Sequence, residues 1–260
     1  MVTRSNFGEA AELYARVRPG YLPAVFDDLV ALSGVPQDGR ILEIGPATGQ
    51  ATLPLARRGF HITAIEPEEA LVAQARLALA PSDEVEFHVS PFEDWPLPEE
   101  RFDVVLAATA FHWIEPAVRY VKAAAALKPG GALAVVNTHH VAGGTQAFFE
   151  AVQPCYALHV TGAKGDLRLP AAEAVPRDTA GVIASGLFTE PEVRTYLWQA
   201  AYTAEQYLDL LSTYSNHIAM LPEDRIGLFD CMTTLIDTRF GGSIVKQYMT
   251  ELVVAKKLGA

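Results

Sequence analysis

The chain has 260 residues, half of them hydrophobic and a fifth charged, which suits a large folded core and excludes an intrinsically disordered protein. Its formal charge is −11 with no block of lysine or arginine, so neither an extended phosphate-tracking surface nor a nucleic-acid substrate is expected. Two distant cysteines, Cys155 and Cys231, a polar stretch from Met1 to Glu12, and no apolar run of the roughly 18–20 residues that span a bilayer point to reduced thiols in a soluble, cytoplasmic protein without a membrane anchor.

In chain order, Phe7, Ala10, Ala11, Tyr14 and Val17 recur at helical spacing until Arg18-Pro19-Gly20-Tyr21-Leu22-Pro23 interrupts them. Val25, Leu29, Val30 and Leu32 mark a second helix ending at Ser33-Gly34, so residues 1–36 read as a helical cover. Ile41 to Ile44 is a short apolar run broken by Gly45 and Gly49, and Leu53, Leu55 and Ala56 lead to Arg57-Arg58-Gly59. Strand, glycine turn and helix in that order form the nucleotide corner of a doubly wound α/β sheet. His61 to Glu66 is a second strand, Glu68 to Leu79 a helix, Val85 to Val89 a third strand and Phe102 to Ala108 a fourth. A helix opens at Glu115-Pro116 and runs to Leu127, Lys128-Pro-Gly-Gly131 ends it, and Ala132 to Val136 is the fifth strand. The regular beat is lost from Gly143 to about Leu187, apart from a helix over 146–158. It resumes with a strand from Glu192 to Tyr202, helices at about 204–218 and 223–238, and a last strand from Ile244 to Lys256.

The first turn departs from a dinucleotide site. A pyrophosphate loop needs Gly-x-Gly-x-x-Gly, so that backbone N–H groups close on an anion at the helix N-terminus. Here the loop is Gly45-Pro46-Ala47-Thr48-Gly49, with Ala47 and Gln50 at the second and third glycine positions and Glu43 near the strand end. A carboxylate there repels pyrophosphate and suits a cation. S-Adenosyl-L-methionine offers an ammonium and a sulfonium beside an adenosine and carries no phosphate. About twenty residues beyond Gly45, Glu66 stands where an acid accepts hydrogen bonds from both ribose hydroxyls, and Pro67 sets the turn behind it.

The pattern Glu43-x-Gly45-x-x-x-Gly49 resembles the first motif of the class I S-adenosylmethionine-dependent methyltransferases, in particular the small-molecule enzymes of methyltransferase type 11. Phe111-His112-Trp113 after the fourth strand and Leu127-Lys-Pro-Gly-Gly131 before the fifth resemble the same family. The likeness is carried by motifs over about residues 5–137 and by pattern alone over 190–257. It implies a seven-stranded Rossmann-like sheet closed by strands six and seven, the last antiparallel. One domain would span 1–260, with a cofactor-binding core over 37–142 and a helical acceptor lid over 143–188 and 203–240.

The resemblance also implies roles. Tyr14 and Arg18 reach the methionine carboxylate, which a guanidinium fork matches, and the turn at Gly45, Pro46, Ala47 and Gly49 cradles the cofactor. The family often carries an aspartate before a small residue in the loop after the third strand. Pro91 stands there instead, which leaves Phe92 and Glu93 on the adenine side. Thr109 and His112 lie at the end of the fourth strand, beside the switch point and the transferable methyl. Tyr21, Trp113, His139, Tyr214 and His217 line the acceptor pocket.

The reaction implied is methyl transfer to a carboxylate, phenol, amine or carbon acid, leaving S-adenosyl-L-homocysteine. Where a proton must be removed, His112 is the first candidate base, with His139 and His140 behind it. No metal is expected, since adjacent histidines on a strand point to opposite faces. Two rivals stand beside this reading. A non-catalytic S-adenosylmethionine-binding protein shares every cofactor feature, and an NAD-dependent oxidoreductase is disfavoured by Glu43 and the missing glycines.

Overall fold

Strand β1 (Arg40–Ile44) sends successive side chains to opposite faces, and two separate cores form on them. Ile41 packs with Phe26, Leu29 and Leu55 on one side, while Leu42 and Ile44 pack with Phe92, Ala123 and Leu127 on the other. Burial on both faces is why the parallel strands read as continuous apolar runs. The computed structural model describes residues 10–79 and 84–259. Phe7, expected in the first helix, lies outside the described residues.

Helices α1 (Ala11–Val17) and α2 (Pro23–Ser33) precede β1. After it come α3 (Thr52–Ala56), β2 (His61–Glu66), α4 (Glu69–Leu79), β3 (Val85–Val89), β4 (Phe102–Ala108), α5 (Pro116–Ala126) and β5 (Leu127–His140). The second half adds α6 (Gln146–Ala151), α7 (Gln153–His159), α8 (Ala180–Ser185), β6 (Glu192–Thr203), α9 (Ala204–Leu211), α10 (Ser215–Ile218), α11 (Pro222–Arg239) and β7 (Ser243–Lys256). Pro23 and Pro116 open α2 and α5 where no N–H is needed, and Gly34 ends α2 at φ 59°.

The seven strands form one sheet in the order β3-β2-β1-β4-β5-β7-β6. β1 pairs in parallel with β2 and β4, as do β2 with β3 and β4 with β5. β7 runs antiparallel to β5: Lys257 donates to the Gly131 carbonyl and Val141 to that of Gln247, so partner numbers fall as β5 advances. The chain travels outward from β1 to β3 and returns to β4, which puts the switch point at the C-terminal ends of β1 and β4.

Three local expectations are corrected. Lys128-Pro-Gly-Gly131 does not separate α5 from β5. Pairing passes from Phe102–Leu127 to Val104–Ala132, so the four residues bulge out within the strand, with Lys128 Nζ on the Asp103 carboxylate at 2.8 and 2.9 Å. The helices expected over 146–158 and 204–218 each divide, at Val152 and around Ser212–Tyr214. The reduced thiols are the third: Cys155 on α7 and Cys231 on α11 form a disulfide, their Cα atoms 5.9 Å apart. Helix packing brings together residues 76 apart in sequence, a proximity that spacing does not disclose.

The chain gathers into two compact units. The sheet unit holds Pro19–Thr138, Pro176–Tyr196 and the chain from Thr250 onward. The second holds the chain through Arg18, His139–Val175 and Leu197–Met249. Its core is Phe148, Tyr207, Leu210, Leu228, Met232, Ile236 and Tyr248, and its ring content makes it an aromatic unit. Among the described residues no helix is long and apolar enough to cross a membrane.

Candidate functional site

At the end of β1 the chain turns through two left-handed glycines, Gly45 at φ 67° and Gly49 at φ 92°, with Ala47 between them at φ 50°. Gly45 N–H donates to the Ile65 carbonyl at 2.9 Å, and a β-carbon on Gly45 would come within 2.6 Å of Ala110 Cβ. That glycine therefore lets the β1 turn and the chain beyond β4 approach each other. Glu66, at the end of β2, holds the turn in place. Its Oε2 accepts from Ala47 N–H at 3.1 Å and its Oε1 from Glu68 N–H at 3.2 Å.

Glu43 is 1% exposed, and among the described residues neither of its oxygens has a hydrogen-bond partner. Burial raises its carboxyl to about 7. The nearby Thr52 hydroxyl opposes that rise without reaching bonding geometry, and the Glu66 charge adds to it. A buried carboxyl without a hydrogen-bond donor is costly while ionised.

The end of β4 carries the second cluster. Thr109 is left-handed, at φ 56°; Ala47 and Thr109 are the non-glycine residues in that region among those described, one at each edge of the switch point. Tyr21 reaches Thr109, hydroxyl to hydroxyl, at 3.0 Å. His112 and Trp113 follow in a 3₁₀ turn with ring centroids 5.0 Å apart. His112 is exposed as a residue, yet enough protein surrounds its imidazole that desolvation lowers its pKa; Asp178 acts against that shift and Arg119 with it.

In the turn after β3 the Phe92 ring is 2% exposed and packs in the core, with Lys122 Nζ 5.3 Å from its centroid. Glu93 Oε1 accepts from Glu115 N–H at 3.0 Å and thereby caps α5.

Residues 42–135 match the family model described as a methyltransferase domain. Over that stretch the chain is similar to methyltransferase domains. An uncharacterised methyltransferase of Mycobacterium tuberculosis (strain H37Rv) is 34% identical over 131 residues, 50% of this chain and 51% of that one. The chain thus spans about half the length of the curated relatives it matches first. Among solved structures, one assigned as a type II methyltransferase from Anaeromyxobacter dehalogenans superposes with a TM-score of 0.61 at 22% identity, covering 92% of this chain and 97% of that one. Another, assigned to an antibiotic biosynthesis pathway of Anabaena variabilis, gives a TM-score of 0.58 at 16% identity over 91% and 98%. These two likenesses bear on the fold.

The matched stretch contains Glu43, Gly45, Pro46, Ala47, Gly49, Glu66, Pro67, Phe92, Glu93, Thr109, His112 and Trp113. The aromatic unit gathers the remaining expected residues except Tyr21. Arg18 lies between two tyrosine rings, 4.7 Å from the Tyr14 centroid and 4.3 Å from that of Tyr214. Its Nε donates to Thr213 Oγ1 at 2.8 Å and its Nη2 to the Thr213 carbonyl at 2.7 Å. Half of the fork is thus already engaged within its own unit.

His140 faces Tyr214 and Tyr248, and burial together with Lys246, Arg18 and His139 lowers its pKa to about 3. Burial, Lys246 and Arg225 lower that of His217 to about 4, and Tyr156 lies 3.1 Å from its Nε2. Among the described residues no three metal-ligating side chains converge.

Sequence reasoning passed over Lys246 and Tyr248. Both lie on β7, two apart and so on one face, 4% and 1% exposed. A lysine alternating with apolar residues on an otherwise buried strand was the available signal.

Proposed function

We propose that the protein is an S-adenosylmethionine-dependent methyltransferase acting on a small molecule. The observation that carries the reading is Glu43: a buried carboxyl lacking a donor, at the mouth of a turn without the glycines of a pyrophosphate loop. An ammonium brought beside it relieves the orphaned acid, whereas a pyrophosphate worsens it. When bound, the cofactor supplies a methyl group activated on a positively charged sulfur.

This chain's own residues then divide the work. Glu43 meets the cationic methionine end, and the open backbone at Gly45 to Gly49 permits close approach. Glu66, each of whose oxygens accepts from a backbone N–H, stands where the ribose hydroxyls are expected. The turn around Phe92 contributes backbone to the adenine. Thr109, tied to Tyr21, and His112 occupy the switch point, where alignment and exclusion of water matter most. His112 is the first candidate for a proton acceptor, because its lowered pKa keeps it neutral at pH 7. His140, at about 3, is too weakly basic to hold a proton there. The family match over 42–135 supports the reaction type.

Calorimetric titration with S-adenosylhomocysteine, using NAD as control, tests the cofactor. Micromolar binding of the thioether and none of NAD is expected; the reverse overturns the assignment. Transfer of a labelled methyl group to a panel of acids, phenols and amines then separates an enzyme from a binding protein. If His112→Ala leaves turnover of a confirmed acceptor unchanged, the base is elsewhere or is not needed.

A further inference from the structure

The loop before α8 is held by two strands at once. Lys257 N–H on the Gly131 carbonyl and Val141 N–H on that of Gln247 fix the register of β7 against β5. That register sets Asn137 opposite Glu251, with both side chains on one face of the sheet. Asn137 Nδ2 donates to Asp178 Oδ2 at 3.1 Å, and Glu251 Oε1 accepts from Asp178 N–H at 3.1 Å. The Glu251 side chain is 0% exposed, and its Oε2 faces Arg177 Nη1 at 3.5 Å. Burying a carboxylate is unfavourable unless it is paired, and here its partners include two exposed neighbours, Arg177 and Asp178. Asp178, an acid open to solvent, is thus fixed through both its side chain and its backbone.

The fixed acid stands close to the turn after β4. Asn137 follows Val136, whose carbonyl accepts from Thr109 N–H at 2.7 Å. Gly181, three residues beyond Asp178, packs on α5 so closely that a β-carbon there would come within 2.2 Å of Tyr120 Oη. The Tyr120 ring meets that of Phe111 edge to face with centroids 5.1 Å apart, and His112 is the next residue. All these residues belong to the sheet unit. The charges around them are Asp178, Arg119 of α5, and the Arg177–Glu251 pair that backs Asp178. Arg119 lies 5.6 and 5.0 Å from the Phe111 and Tyr120 centroids, and its Nε makes no hydrogen bond among the described residues. Burial makes His112 less basic; Asp178 opposes that change and Arg119 adds to it. Burial likewise raises the Tyr120 phenol, on which Arg119 and Asp178 again act with opposite signs.

We infer that Asp178 is a positioning residue for His112, held by Asn137 and Glu251 so that its carboxylate supplies the counter-charge to the imidazolium. The inference rests on the reading that His112 takes the proton of a methyl acceptor. In that step the proton leaves the acceptor for an imidazole nitrogen, and positive charge appears on a ring that already has Arg119 close by. A carboxylate held within electrostatic reach offsets the repulsion, whereas one on a free loop would be averaged into solvent. Asp178 lies outside the stretch matched to methyltransferase domains, so the matched motifs do not supply this acid.

Nuclear magnetic resonance of the full-length protein, labelled on histidine, follows the imidazole itself, with the His112 signal assigned by its loss in His112→Gln. Asp178→Asn keeps the shape and removes the charge. It is expected to lower the pH midpoint of His112 by about half a unit while those of His61 and His88, on β2 and β3, stay where they are. Asn137→Ala leaves the charge and frees the carboxylate, and a smaller shift in the same direction is expected. An unchanged His112 midpoint in Asp178→Asn overturns the inference, as does an equal shift at His61 and His88, which would mark a general structural change. A wild-type midpoint in Asn137→Ala overturns the role given to the clamp. S-Adenosylhomocysteine titrated into wild type and Asp178→Asn reports the methyltransferase reading separately, and equal affinity is expected. A shifted midpoint without thioether binding leaves the coupling of Asp178 to His112 standing and removes its place in methyl transfer. Thioether binding with an unshifted midpoint removes the inference alone. With a confirmed acceptor that must lose a proton, the acid limb of the kcat/KM profile is expected to move to lower pH in Asp178→Asn by the same amount.

Discussion

Glu43 is a residue whose ionisation is coupled to its burial. An acid with a raised folded-state pKa favours the folded protein while it is protonated. That contribution is fully present below its ordinary value of 4.5 and is lost as pH rises through about 7. Glu43→Gln has the same shape and no charge to lose. Its stability relative to wild type is therefore expected to grow by about 3 kcal/mol, to order of magnitude, between pH 4.5 and 8. Urea denaturation of both proteins at pH 5 and pH 8 measures this, and parallel pH profiles would show the carboxyl to be solvated or paired. A cation docking beside Glu43 lowers its pKa again, so S-adenosylhomocysteine binding at pH 7 should release up to about half a proton. Calorimetry in two buffers of different ionisation enthalpy reads that release. At Gly45 the constraint is steric: Gly45→Ala places a β-carbon 2.6 Å from Ala110 Cβ on a φ of 67°. The loss expected is about 1–3 kcal/mol, with weaker thioether binding if the protein still folds.

At the scale of elements, the turns after the strands do more than connect them. Glu93 caps α5 through Glu115 N–H, while Lys122 from that helix donates to the Glu93 and Trp95 carbonyls at 2.7 and 2.6 Å. The loop after β3 is thus fastened to the helix after β4. Glu93→Ala is expected to cost about 1 kcal/mol, seen as a lowered denaturation midpoint, with faster amide exchange in the first turn of α5. The bulge at Lys128–Gly131 belongs to the same scale. It absorbs four residues opposite Asp103 and keeps the pairing of β5 with β4 through to Val136, whose carbonyl accepts from Thr109 N–H at 2.7 Å. That bond pins the left-handed residue at the mouth of the switch point.

For the whole molecule, the disulfide between α7 and α11 closes a long loop inside the aromatic unit. By the loop-entropy account such a link contributes on the order of 4 kcal/mol, less where the reduced chain retains structure. Cys155→Ser is expected to lower the thermal midpoint and to remove the sensitivity of that midpoint to dithiothreitol. An equal midpoint for oxidised and reduced wild type would assign the two sulfurs a packing role only. The bond also removes the free-thiol argument for a reducing compartment on which the cytoplasmic expectation leaned.

Local chemistry is legible from residue order. Period-two burial, the glycine turn, the acid before it and the acid about twenty residues on could all be read along the chain, because each depends on neighbours within one βαβ unit. Proline and glycine marked the ends of α2 in the same way. What depends on distant residues could not be read. Phe92 packs in the core, Arg18 is engaged by Thr213, Cys155 meets Cys231, and Lys246 sits uncompensated among rings from separate helices. Each of these is set by packing between segments tens to hundreds of residues apart. Sequence by itself determined the order of the strands and the glycine turn with Glu43 before it. Only the tertiary structure decided which polar groups lost their water without gaining a partner, because desolvation depends on everything packed around a group, from any part of the chain.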